Sequence, residues 1–140
     1  MAARAAERLA LAARLRQALE RNEFELHFQP IHDIGDGRVV SLEALIRWSP
    51  DRTGYVPPSQ FIPLCEESGL IVPLGEWALA EAARCHGLLA ARGRGDLAIA
   101  VNVSAVQFLS EALPQSLQAL RRQHGLPRGA LHIELTESAV

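Results

Sequence analysis

The chain has 140 residues, is 49% hydrophobic and 21% charged, and carries a formal net charge of −2. Those values fit one soluble globular domain; they exclude a disordered polyelectrolyte and, with Arg dispersed along the chain, a surface built to bind nucleic-acid polymers. All 14 basic residues are arginine, so no reaction that needs a lysine can be completed by these residues alone.

Residues 1–21 are rich in Ala and Arg, and Leu11, Leu15, Ala18 and Leu19 fall on one helical face. Arg4, Glu7, Arg8, Arg14 and Arg16 interrupt any apolar run, which rules out a signal peptide or membrane span. The Arg content alone would suit a mitochondrial presequence, but Glu7 and Glu20 argue against one. The segment reads as a helix that joins or packs on an upstream module. Glu25 to Gln29 then alternates as a short strand that stops at Pro30, and Gly35-Asp36-Gly37 is a turn. Arg38 to Trp48 forms the next strand, either as a hairpin partner or after a crossover. Its apolar run through Val39, Val40, Leu42, Ala44, Leu45 and Ile46 predicts a strand covered on both faces.

A Gly- and Pro-containing loop, Asp51 to Pro58, leads to a helix capped by Ser59 and ended by Gly69. Glu76 to Ala91 predicts a second, Ala-rich helix, and Leu97 to Val103 a third strand. Ser104 and Gln107 form a capping box for a short helix, and Pro114 sits early in another that ends at Gly125. Leu131 to Thr136 is a fourth strand. Strands alternating with helices imply an α/β fold with a parallel sheet.

Cys65 and Cys85 fall in helical segments without CxxC spacing and read as reduced thiols of a cytoplasmic protein. The five histidines, His27, His32, His86, His124 and His132, lack metal-ligand spacing and read as surface or packing residues.

Three polar residues interrupt the apolar strands: Glu43, Asn102 and Glu134. Alternation places Glu43, Leu45 and Arg47 on one face and Leu42, Ala44 and Ile46 on the other. In a β/α barrel, residues near the carboxyl ends of parallel strands converge on the rim that carries the active site. Two carboxylates and an amide oxygen suit Mg²⁺, Mn²⁺ or Ca²⁺ better than zinc. Gln29 and Arg47 are placed to contact a phosphate or a base, and the planar fork of Arg suits phosphate. Structural roles remain open at this point. Glu43 and Glu134 could sit in ion pairs, Asn102 could hold a turn, Arg47 could be a solvated strand-end charge, and Glu137 could stabilise a following helix N-terminus.

Five blocks of residues carry a resemblance. Phe28-Gln29-Pro30-Ile31 is followed by Glu43-Ala44-Leu45-Ile46-Arg47-Trp48, then by Val56 to Leu64 with Glu66-Glu67-Ser68-Gly69-Leu70-Ile71. Val101-Asn102-Val103-Ser104-Ala105-x-Gln107-Phe108 and Glu134-Leu135-Thr136-Glu137-Ser138 complete the series. In this order, over residues 12 to 140, they resemble the EAL domain family of bacterial signalling proteins. The resemblance implies a TIM-type (β/α) barrel that hydrolyses cyclic-di-GMP to linear pGpG with Mg²⁺ or Mn²⁺, by the two-metal logic of phosphodiester cleavage. It implies that Glu43, Asn102 and Glu134 are metal ligands, that Gln29 and Arg47 contact the dinucleotide, and that Glu137 supports a loop near the metal.

The family continues with an Asp-Asp pair, a lysine and further Glu and Gln residues on later strands. This chain has no lysine, and its four Asp (Asp33, Asp36, Asp51, Asp96) all precede the third strand. A whole barrel needs eight strands and about 250 residues. The expectation is therefore an N-terminal helix or linker over 1–21 and the first half of an EAL domain over 22–140, truncated after the fourth strand. Alone it should be inactive, with open sheet edges that invite aggregation or a homodimer. An upstream GGDEF or sensory module is the expected neighbour in a parent protein, which is cytoplasmic or tethered to the inner membrane by segments outside this chain. The competing readings are a non-catalytic EAL-type receptor or protein-interaction module, which would have no need of the metal ligands, and a truncated domain without function.

Overall fold

A computed structural model describes residues 2–136, so Glu137 lies outside the described residues. The elements run α1 (Ala2–Glu20), β1 (Phe24–His32), β2 (Val39–Trp48), α2 (Pro58–Ser68), α3 (Ile71–Ala91), β3 (Ala98–Val103), α4 (Ala105–Phe108), α5 (Ala112–His124) and β4 (Leu131–Leu135), with a 3-10 turn at Pro50–Arg52. The sheet order is β1-β2-β3-β4. β1 and β2 form an antiparallel hairpin, whereas β2–β3 and β3–β4 are parallel and joined through helices. The hairpin resolves the choice that the sequence left open. Asp33 shapes its turn, its Oδ1 accepting the backbone N–H of Gly35 at 2.7 Å.

The alternation expected along β2 holds. Ala44, with Ile99 and Val101 of β3, packs against Ala78, Leu79 and Ala82 of α3, joined by the partly buried Ile46, Leu26 and Phe28. The opposite face carries Glu25, His27, Gln29 and Glu134, all exposed, and the half-buried Glu43. The expectation of a strand covered on both faces is therefore corrected: β2 is sealed on the helix side only, and just Ala44 and Trp48 are fully buried in it.

A second core lies where α1 and α2 meet the hairpin ends, around Leu15, Ala18, Phe24, Trp48, Phe61 and Leu74. Phe24 stacks on Trp48 with ring centroids 6.1 Å apart, and Phe61 meets Trp48 edge to face at 5.7 Å. Leu15 and Ala18 of the N-terminal segment are thus part of this domain's interior.

Three boundaries differ from the sequence reading. β1 continues through Pro30 to His32, which an edge strand tolerates because a missing N–H there need not break a ladder. Ser59 does not cap α2: Pro57 is the N-cap and Pro58 opens the helix, where a proline's fixed φ is already helical. α3 begins at Ile71 rather than Glu76, since Pro73 falls in the first turn and costs no intrahelical bond. The capping box at Ser104 and Gln107 and the left-handed caps at Gly69 and Gly125 appear as expected. Cys65 and Cys85 are free thiols on α2 and α3, and burial pushes the Cys65 thiol up to about 11.

Candidate functional site

The polar residues of the open face come together because three strands place them at neighbouring register positions. Gln29 stands opposite Glu43 across the hairpin, and Asn102 stands opposite Glu134 across β3–β4. Between these pairs, Asn102 Nδ2 donates to Glu43 Oε1 at 3.2 Å. One amide therefore sits between two carboxylates drawn from residues 43 and 134. Among the described residues neither Glu43 nor Glu134 makes an ion pair, and the second oxygen of Glu43 accepts no hydrogen bond. That removes the ion-pair reading of both acids within the described residues.

Pairing between β2 and β3 covers only Ser41–Ala44 against Ala98–Val101, although β2 runs on to Trp48 and β3 to Val103. Past Ala44 the pairing ends, and a cavity of about 190 Å³ opens beside the two strand ends. Arg47 and Asn102 reach it from the strands, Glu66 and Gly75 from the helices, and Gln107 from α4. Its floor is fixed by the capping box: Gln107 Oε1 accepts the Ser104 N–H at 3.2 Å, and Ser104 Oγ accepts the Gln107 N–H at 3.3 Å. Gly75 is required beside it, since a Cβ there would stand 1.4 Å from Gln107 Nε2. This locks the turn that immediately follows Asn102. Arg47 donates from Nη1 to its neighbour's carbonyl, Ile46 O, at 3.2 Å, and pairs with no acid among the described residues.

The donor chemistry at Glu43, Asn102 and Glu134 fits a hard divalent cation, because all three offer oxygen and two bring negative charge. Among the described residues no group of three or more His, Cys, Asp or Glu gathers closely enough to hold a metal. The amide of Asn102 would therefore have to act as a ligand through Oδ1, the atom that its Nδ2 donation to Glu43 leaves open.

Two features escaped the sequence reading. Glu23, at the junction of α1 and β1, is buried and accepts bonds from Arg14 Nη2 (2.6 Å), Trp48 Nε1 (3.2 Å) and the Asp51 N–H (3.0 Å). Burial pushes its carboxyl up, but the bonds from Asp51, Arg14 and Trp48 outweigh that and hold it below the usual range. The second feature is a cluster of Glu25, His27 and Tyr55 near Arg47. The period-two spacing of Glu25, His27 and Gln29 would have placed the first two on the open face; nothing local signals that Tyr55 folds back onto them.

Comparison with known proteins places this geometry. The sequence matches the EAL domain over residues 12–140. It is 44% identical over 138 residues to the bifunctional diguanylate cyclase/cyclic di-GMP phosphodiesterase MucR of Pseudomonas aeruginosa, covering 99% of this chain and 20% of that protein. It is 38% identical over 134 residues to the cyclic di-GMP phosphodiesterase PdeR of Escherichia coli, covering 96% of this chain and 20% of that protein. The solved PaMucR phosphodiesterase in complex with c-di-GMP superposes with a TM-score of 0.87 at 43% identity, covering 91% of this chain and 52% of that one. The chain thus spans about a fifth of the length of these relatives and about half of the solved domain. Its four strands and their helices are part of the TIM-type (β/α) architecture of those domains. No helix among the described residues is long and apolar enough to cross a membrane. With nearly the whole chain matched in sequence and fold, this protein belongs to the EAL domain family.

Proposed function

We propose that this chain supplies the amino-terminal half of a cyclic-di-GMP phosphodiesterase site, which hydrolyses the cyclic dinucleotide to linear pGpG with Mg²⁺ or Mn²⁺. The observation that carries the reading is the contact between Glu43 and Asn102, with Glu134 in register beside it, on an open face that presents oxygen donors not consumed by ion pairs. Relatives named for cyclic di-GMP phosphodiesterase activity supply the substrate class.

In this reading Glu43, Asn102 and Glu134 hold the cation. Bound divalent ions supply charge neutralisation at the phosphodiester and lower the pKa of a bound water. The chain's own residues orient the substrate. Arg47, free of any acid partner among the described residues, offers its planar fork to a phosphate, and Gln29 offers an amide opposite Glu43. Glu137 is proposed as loop support only. Three protein ligands would not complete the coordination of such an ion, and further ligands would have to come from water, substrate and later strands of the domain. The 140 residues by themselves are therefore proposed to be inactive, and the edges at β1 and β4 are where a second copy or the rest of a barrel would pair. Residues 1–21 are proposed to pass a signal from an upstream GGDEF or sensory module into the domain.

The test is Glu43→Gln in the protein carrying the complete domain, with pGpG release as the readout. Because even outer-shell partners of a metal cost about 10–100-fold, loss of a direct ligand should cut the rate more than about a hundredfold. Activity within a few-fold of the unmodified protein would remove Glu43 from the cation site, and no pGpG release by the unmodified protein would favour the non-catalytic receptor instead.

A further inference from the structure

The open face carries a second polar cluster, toward the Arg47 end of the hairpin. The hydroxyl of Tyr55 donates to Glu25 Oε1, and the same oxygen lies 3.0 Å from His27 Nε2. The Tyr55 and His27 rings meet edge to face, with centroids 5.3 Å apart and planes at 80°. Glu25 stands directly opposite Arg47 in the hairpin register. Tyr55 comes from the β2–α2 loop and is held by an antiparallel bridge between Trp48 and Val56, whose N–H donates to Trp48 O at 2.9 Å. Its ring is thus anchored at the backbone, at the hydroxyl and at one edge, yet 57% of the residue remains exposed. An exposed aromatic restrained in this way has already lost the side-chain entropy that ligand binding would otherwise cost. The hydrogen bond to Glu25 also pushes the Tyr55 hydroxyl up from its ordinary value.

We propose that Tyr55, braced by Glu25 and His27, is a platform for one purine base of the dinucleotide, with Arg47 beside it on the phosphate. The inference rests on the phosphodiesterase reading and deepens it by naming a base-contacting residue. Arg47 is four residues beyond Glu43, about 13 Å along the strand at ~3.3 Å per residue. Tyr55 therefore lies too far from the acids to touch the reacting phosphodiester. Its contribution is to binding a remote part of the substrate, where π-stacking is tolerant of base identity.

The experiment is calorimetric binding of cyclic-di-GMP to the complete-domain protein and its Tyr55→Ala and Tyr55→Phe variants, with pGpG release by the Glu43→Gln variant measured in parallel. Tyr55→Ala should weaken binding about tenfold, the cost of one base–aromatic stack. Tyr55→Phe should restore most of that affinity, since it keeps the ring and loses only the hydroxyl anchor. Equal weakening in both variants would make the hydroxyl, not the ring, the contact and overturn the proposal. Unchanged binding in Tyr55→Ala, with Glu43→Gln inactive, would also overturn it while leaving the phosphodiesterase reading intact. Absence of dinucleotide binding by the unmodified protein would overturn both.

Discussion

Glu23, just before β1, and Glu43, midway along β2, are the same residue type in different surroundings. Glu23 is enclosed and its oxygens accept three bonds from Arg14, Trp48 and the Asp51 backbone. Glu43 is half-buried and, among the described residues, accepts a single bond, from Asn102. A buried carboxylate tied to three protein donors is committed to the fold; its work is to hold α1, β1 and the loop after β2 together. A carboxylate with lone pairs to spare on an open face is available for chemistry. The surrounding cores follow the same division, with interlocked aromatics around Glu23 and alanines with aliphatic side chains behind Glu43.

Removing each acid in turn gives the sharpest contrast. Glu23→Ala leaves Arg14 half-buried without its main partner and should cost about 3 kcal/mol of stability in denaturant unfolding, as for other broken buried pairs. Glu43→Ala should leave the unfolding midpoint nearly unchanged while abolishing the hydrolysis proposed for the protein that carries the complete domain. If both variants lost stability equally, the division between a structural and a chemical acid would fail.

Gly75→Ala probes the floor between the two regions. The added Cβ must displace the Gln107 amide and so break the capping box that follows Asn102. A loss of about 1–2 kcal/mol is expected, the range for a lost helix cap. A neutral result would mean that Gln107 can turn away without consequence for the Ser104 turn.

The smallest expected effect is in pH. The Glu23 carboxyl is lowered from its ordinary value of 4.5, so its contribution to stability is complete above that pH and is lost as pH falls through the depressed folded value. Unfolding measured from neutrality downward should therefore show a loss beginning near pH 4.5 that the Glu23→Gln variant lacks. The same acid slope in both proteins would assign that loss to other carboxylates.

Much of this was legible in local pattern. The period-two alternation of β2 put Glu43 and Arg47 on the face away from Ala44 and Ile46, and the capping box announced α4. Prolines misled. Pro30 reads as a strand stop and Pro57-Pro58 as a loop end, yet an edge position and a helix's first turn need no N–H from them. Glu23 carried no signal, because its partners lie at residues 14, 48 and 51 and only the packing of α1 across the hairpin end brings them to it.

By itself the sequence determined the order and type of elements, the faces of the strands and the family, since each depends on residue spacing within a few positions. Only the tertiary structure decided that β1 and β2 form a hairpin, that the pairing of β2 with β3 ends at Ala44, and that Tyr55 returns to Glu25. Those outcomes depend on contacts between distant segments. Which polar groups are consumed by the fold, and which stay open to a ligand, is settled only after the chain has packed.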